Sequence, residues 1–364
     1  MLTRYDEFMC HQIPSTMDHP HTSAREWTER TWFSAHDISG KMHMVSSIGL
    51  YPNRNIIDTY GAVAIDGKME YLVRASRELR PARDETKIGP FTYEIVEPMK
   101  KVRKSLAENE HGLSYDILFD ASFPALEEQP QFSRHRGRVQ ENIVRYVQMG
   151  RPSGWIKVDG KTYEIDSNTW RAERDHSWGI RRGGGVPEMG VQPGEIPEGY
   201  LFNFLVVQFD SWCASYHIRE LWDGTRLMFS GGIAYPLGNP VKEMPLTDVD
   251  HSFKFRPDMR FPTGADVVLK GPDGLKKELS LKPLGCCYLR PGGYFGYNEF
   301  THGLWMGQSW MDGLRLDISD PAVVKDISFL DDVMCEVRCG DEVGYGITEI
   351  VVTGKYPRYG YEGY

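Results

Sequence analysis

Trp155-Ile156-Lys157-Val158-Asp159-Gly160-Lys161-Thr162-Tyr163-Glu164-Ile165 spells out a β-hairpin. Ile156 and Val158 alternate with Lys157 before the turn, and Tyr163 and Ile165 alternate with Glu164 after it. That period of two is what a strand with one buried face requires. Asp159-Gly160 supplies the positive φ of a tight hairpin turn. Asp-Gly recurs at 66–67, 223–224, 273–274 and 312–313, each time between β-prone segments, and each pair is read as a turn. An all-β chain is the expectation.

Outward from the hairpin, strand-like runs fall at 27–36, 41–51, 57–65, 69–77, 90–97, 101–107 and 113–121. Segment 138–149 fits a helix through Val139, Ile143, Val144 and Val147, but 144–147 also fits a strand, and strand is the reading adopted. Beyond the centre come 201–209, 212–221, 226–233, 252–255, 265–269, 278–284, 303–311, 333–339 and 344–353, with a short helical turn at 321–329. Gly183, Gly184, Gly185, Pro187, Gly190, Pro193, Gly194, Pro197 and Gly199 crowd one stretch, which reads as a linker. A chain of 364 residues is long for one core. The division is therefore 1–182, a linker at 183–199, and 200–364.

A net charge of -9 speaks against nucleic acid, whose phosphates need a basic surface. Aromatic richness, with 19 Tyr and 16 Phe, suits β-structure and apolar pockets. Cys10, Cys213, Cys286, Cys287, Cys335 and Cys339 lack zinc-site spacing and are read as free thiols. His19-Pro20-His21 lacks carboxylate or cysteine support and reads as loop. Residues 1–12 carry Arg4, Asp6 and Glu7 with no apolar core, so a secretory signal is not expected and the cytoplasm is the expected address. No apolar run reaches membrane-spanning length.

The central run Arg174-Asp175-His176-Ser177-Trp178-Gly179-Ile180-Arg181-Arg182 concentrates acid, imidazole, indole and guanidinium. As a strand, it puts His176, Trp178 and Ile180 on one face and Asp175, Ser177 and Gly179 on the other. His176 with Trp178 is expected to face the domain interface, with Asp175 pairing with an arginine on the opposite side. Two readings stay open: a buried salt-bridged corner, or an acid–base site using Asp175 and His176. In 212–220, Trp212, Ala214, Tyr216 and Ile218 share one face, and Cys213, Ser215, His217 and Arg219 the other. The second face is read as solvated, with a polar lumen lined by His217 and Arg219 as the alternative. The basic clusters Lys100-Lys101 with Arg103-Lys104, and 134–138, are read as solvated faces. Trp178, Arg182, Tyr216, His217 and Arg219 are the expected substrate-binding residues.

Gly183-Gly184-Gly185 does not continue as a dinucleotide fingerprint, and no phosphate loop is present. Gly307-Gln308-Ser309-Trp310-Met311 lacks the second glycine of a nucleophile elbow. Neither a metal nor an organic cofactor is expected.

Gly160-Lys161-Thr162-Tyr163-Glu164-Ile165, then Trp170, then Arg174-Asp175-His176-Ser177-Trp178-Gly179, resembles the lipocalin-like superfamily of carotenoid hydratases (hydroxyneurosporene synthases) and lipocalin-like Diels–Alderases. Trp27-Thr28-Glu29-Arg30-Thr31-Trp32-Phe33 with Gly49-Leu50-Tyr51-Pro52-Asn53 looks like a bacterial branch of it. The resemblance implies two lipocalin-like antiparallel β-barrels packed together, with a hydrophobic ligand cavity. Of the hydratase carboxylates it carries over only Asp175.

Two functions follow from these readings. One is a cofactor-independent lyase or isomerase acting on a small hydrophobic, terpenoid or aromatic substrate, by hydration–dehydration, elimination or C–C cleavage. There a buried carboxylic acid or imidazolium protonates an alkene or a leaving hydroxyl. The other is a non-catalytic carrier of hydrophobic ligands. A titratable group inside the cavity favours the enzyme, and an entirely apolar lumen the carrier or a shape-only pericyclase. A homodimer is compatible with either.

Overall fold

The computed structural model describes residues 2–181 and 197–363, and these form two antiparallel sheets. The first, 14-stranded, has a central order of Met69–Glu78, Ile56–Ile65, Met42–Tyr51, Trp27–Asp37, Trp170–Arg181, Arg138–Val158 and Leu113–Ala121. The second, 9-stranded, runs through Cys213–Leu221, Gly199–Gln208, Glu342–Gly354, Asp331–Cys339 and Lys276–Tyr288. Each curls around its own apolar core. Phe33, Ile117, Phe119 and Ile156 lie in the first, and Leu205, Tyr216, Ile218 and Val337 in the second. A third cluster, including Trp32, Val147, Phe204, Met334 and Ile347, packs one sheet against the other.

The hairpin forms as its sequence dictates, Val158 pairing with Lys161 across Asp159 (φ 48°) and Gly160 (φ 83°). Asp66-Gly67 turns in the same way between Ile56–Ile65 and Met69–Glu78. Segment 138–149 is strand, part of one continuous run over Arg138–Val158. The helical turn is Pro321–Ile327, capped by the Asp320 carboxylate accepting from the Ala322 N–H. All six cysteines are free thiols.

Two expectations need correction. Asp312-Gly313 is no turn but lies inside strand Ser309–Asp317, which pairs with Met69–Glu78 at the edge of the first sheet. The glycine is needed there for close approach: a Cβ on Gly313 would sit 2.3 Å from the His111 ring. Asp312 instead pairs with the buried Arg74 at 2.9 Å. The second correction concerns Lys104, which belongs to no solvated face. Strand Lys101–Leu106 turns it inward, where it is 5% exposed.

Candidate active site

Alternation along each strand gives it one face for its own core and one for the opposite sheet. On Trp27–Asp37, Phe33 and Ala35 enter the first core, while Thr28, Arg30 and Trp32 point toward the second sheet. Glu141 and Arg145 do the same on Arg138–Val158, as do Asp175 and Arg181 on Trp170–Arg181. From the second sheet come Phe202, Phe204, Arg219 and Glu349. Tyr294, Phe295 and His302 close one end, and the whole encloses a cavity of about 470 Å³. That volume suits a small organic molecule.

Glu349 is the cavity's acid. It sits opposite Phe204 in the strand register, close enough to the Asp332 carboxyl on the neighbouring strand for each to act on the other's charge. Two carboxyls this close can both ionise only at a cost in repulsion. Burial pushes both above the ordinary carboxyl range, Asp332 being fully buried. Their mutual repulsion disfavours a second negative charge, so the pair gives up its last proton less readily than ordinary carboxyls do. The Trp32 indole Nε1–H donates to Asp332 Oδ2 at 2.8 Å and favours the remaining charge.

His302 is the cavity's base. Burial, reinforced by Arg30, pushes its imidazole down to about 4, so it is neutral. Asp58 lies 3.6 Å from its Nδ1 and in turn accepts the Gly303 N–H at 2.6 Å. One cavity therefore holds an acid that keeps its proton to higher pH than usual and a base that stays neutral, the division of labour that proton-transfer chemistry needs.

Asp175 lines this cavity, accepting the Trp32 backbone N–H at 2.8 Å, with Arg145 Nε 3.7 Å away. His176 lies on the other face of the same strand and does not meet it. Its Nε2 is 3.0 Å from Glu29 Oε1 and its Nδ1 3.4 Å from the Tyr146 hydroxyl. Trp178 packs beside it, ring centres 5.4 Å apart, and is 38% exposed. His176 and Trp178 thus face the first sheet's own concave side while Asp175 faces the second sheet, so the two faces are the reverse of those expected, although Asp175 does pair with an arginine, Arg145.

Arg219 reaches the cavity and binds both oxygens of Glu141, at 2.6 and 2.8 Å. His217 stands behind the Phe202 ring, 5.0 Å away, with Nδ1 3.2 Å from Glu128. It is fully buried, so its face is not solvated but packed against the first sheet. Tyr216 belongs to the second core and donates to Asn203 Oδ1 at 2.6 Å. Arg182 lies outside the described residues, as does 183–196 of the expected linker.

Glu349, Asp332, His302 and Arg30 were not singled out by the sequence reading. Glu349 had a signal: an acid between Ile347 and Ile350-Val351-Val352 in a strand-like run. His302 had none, because its loop has no period. Among the described residues no three His, Cys, Asp or Glu side chains converge as a metal site would need.

The fold and cavity define an all-β, lipocalin-like protein of two packed sheets. The chain belongs to a family of unknown function (DUF8625), whose sequence profile matches residues 2–362. Comparison with functionally curated proteins finds no match. Among solved structures, the chain is similar to the AttH-assigned protein NE1406 of Nitrosomonas europaea (12% identity, TM-score 0.54, covering 89% of this chain and 92% of that one). It is also similar to CghA, solved with Sch210972 (12% identity, TM-score 0.51, 90% and 88% covered). Kievitone hydratase from Nectria haematococca aligns at 13% identity with a TM-score of 0.44, covering 89% of each chain. At these identities the likeness is one of fold. No helix among the described residues is long and apolar enough to cross a membrane.

Proposed function

We propose that the protein is a cofactor-independent lyase or isomerase that moves protons on a small, largely hydrophobic substrate in the cavity between its sheets. The observation that carries this reading is the placing of Glu349, backed by the buried Asp332, and of His302 on the wall of one cavity, where burial raises the acid and lowers the base. A carrier has no use for a buried acid and base that each burden folding by their desolvation.

The surrounding arginines favour one order of events. Arg30, Arg145 and Arg181 make the cavity a poor place for a carbocation and a good one for developing negative charge. The step that fits is an elimination beside a carbonyl. His302 removes the proton from the carbon next to the carbonyl, and the electron pair forms the new C=C bond. The hydroxyl on the following carbon leaves with the Glu349 proton as water. Run backward, the same groups hydrate the alkene. Asp175 then serves by holding Arg145 near Glu349, and His176, on the far face, takes no part.

The test is a panel of hydrophobic β-hydroxy carbonyl compounds and their unsaturated partners, followed by NMR in D2O for deuterium entering the α-carbon. Glu349→Gln and His302→Phe should each lower the rate about 100-fold or more, the usual scale for acid–base groups. Exchange that proceeds undiminished in both folded variants would remove the reading. Saturable binding of the panel without any exchange would return the protein to the carriers.

A further inference from the structure

We infer that the molecule held between the sheets carries a carboxylate, seated on Arg30 and Arg181. This rests on the reading of that cavity as the substrate site and adds the substrate's class. Four guanidiniums line the cavity, and two are answered by the protein itself. Arg219 is held by both Glu141 oxygens. Arg145 lies between Asp175 at 3.7 Å and Glu128 at 3.6 Å.

Among the described residues, Arg30 and Arg181 have no such partner. Among the described residues, Arg30 makes no ion pair, and its Nε and Nη2 are buried without a hydrogen bond. The residue is 8% exposed, and its guanidinium lies over the Tyr294 ring, 4.8 Å from the centre. Stacking holds the plane but satisfies none of the N–H donors in that plane. Arg181 gives one Nη2–H to Ser177 Oγ at 2.9 Å and pairs with no carboxylate among the described residues. Burial, together with Arg145 and Arg30 close by, pushes it down to about 10, and Asp175 offsets that crowding of cations only in part.

A buried, hydrogen-bond-free guanidinium is costly unless something binds it, and a planar oxyanion matches its fork with two parallel bonds. Much of the remaining wall is aromatic, with Trp32, Phe202, Phe204 and Tyr294. Such a cavity fits a molecule with an apolar body and one anionic head. A carboxylate on Arg30 would also hold the body in one orientation between Glu349 and His302.

The experiment compares 6-phenylhexanoate with its neutral amide by isothermal titration calorimetry, on the wild type and on Arg30→Gln, Arg30→Lys, Arg181→Gln and Glu349→Gln. The wild type should prefer the carboxylate by about 10-fold or more, the scale of a charge-assisted hydrogen bond. That preference should collapse in Arg30→Gln, weaken in Arg181→Gln and survive in part in Arg30→Lys. Thermal midpoints identify any variant that fails to fold, and the other substitutions still decide. Equal binding of carboxylate and amide by the wild type, an undiminished preference in both Gln variants, or no saturable binding of either probe each overturns the inference. Glu349→Gln separates the two claims. A retained preference there beside unimpaired exchange chemistry means that the acid assignment has failed and the anion seat stands.

Discussion

The pH dependence of turnover follows from two residues whose environments pull in opposite directions. Glu349 works as a donor only while its pair holds the shared proton, so activity falls as pH rises through the pair's raised titration. His302 works only when neutral, so activity falls as pH drops through about 4. The result is a bell with its acid limb far below the usual histidine range. Trp32 provides the sharper test. Its indole N–H favours the ionised form of Asp332, and Trp32→Phe removes that donor while keeping an aromatic ring. The pair should then hold its proton more tightly, and the alkaline limb should move up by about one pH unit. A limb that stays in place or moves down would show that the pair does not govern it.

At the scale of strands, much was legible because alternation is local. The 155–165 hairpin and most strand cores follow from a period of two, and Asp-Gly at 66–67 and 159–160 does turn. Alternation also separates Asp175 from His176, although it cannot say which face meets the other sheet. What stayed hidden depends on residues far apart in the chain. Asp312-Gly313 has a turn's local chemistry, but the approach of His111 and the charge of Arg74 place it mid-strand. Glu349 finds its partner, Asp332, on the neighbouring strand Asp331–Cys339, and Asp332 in turn takes its donor from Trp27–Asp37. Lys104 reads as one more solvated lysine until strand Lys101–Leu106 turns it between the Phe33 and Tyr93 rings, 5.3 Å from each. Among the described residues its Nζ then has only Thr31 Oγ1 and the Ser46 carbonyl, both at 3.4 Å. Burial pushes it from the ordinary 10.5 down to about 7. Below about 7 both folded and unfolded chains carry the proton and the cost of burying the ammonium is complete. Between about 7 and 10.5 the unfolded chain holds a proton that the folded one has released, so this residue's contribution to stability rises with pH. Lys104→Met should therefore raise the thermal midpoint by about 2–4 °C near pH 6, with the gain fading toward pH 10. A gain that is the same at both pH values would show that Lys104 is not held away from its proton.

Across the whole molecule, the cavity exists because each sheet turns a second, mixed face toward the other. Trp32, Val147 and Met149 from the first sheet meet Phe204, Met334 and Ile347 from the second in a continuous buried cluster. Strand Ser309–Asp317, reached from the second sheet's part of the chain, hydrogen-bonds along the edge of the first. Gln208 of the second sheet donates to the Ala172 carbonyl and to Glu173 of the first, both at 3.1 Å. An apolar seam with buried cross-links of this kind couples the two sheets, since neither can open without exposing the other's surface. Calorimetry should accordingly show one unfolding transition whose calorimetric and van't Hoff enthalpies agree. Phe204 probes the seam directly, because its ring meets Trp32 edge-on with centres 6.2 Å apart and it is 3% exposed. Phe204→Ala should destabilise by about 3–5 kcal/mol. In a coupled molecule that loss moves the single transition down as a whole. Two separated transitions in the wild type, or a Phe204→Ala scan in which only part of the heat shifts, would mean that the sheets unfold independently. The acid on one sheet and the base's loop would then be held in register by something other than this seam.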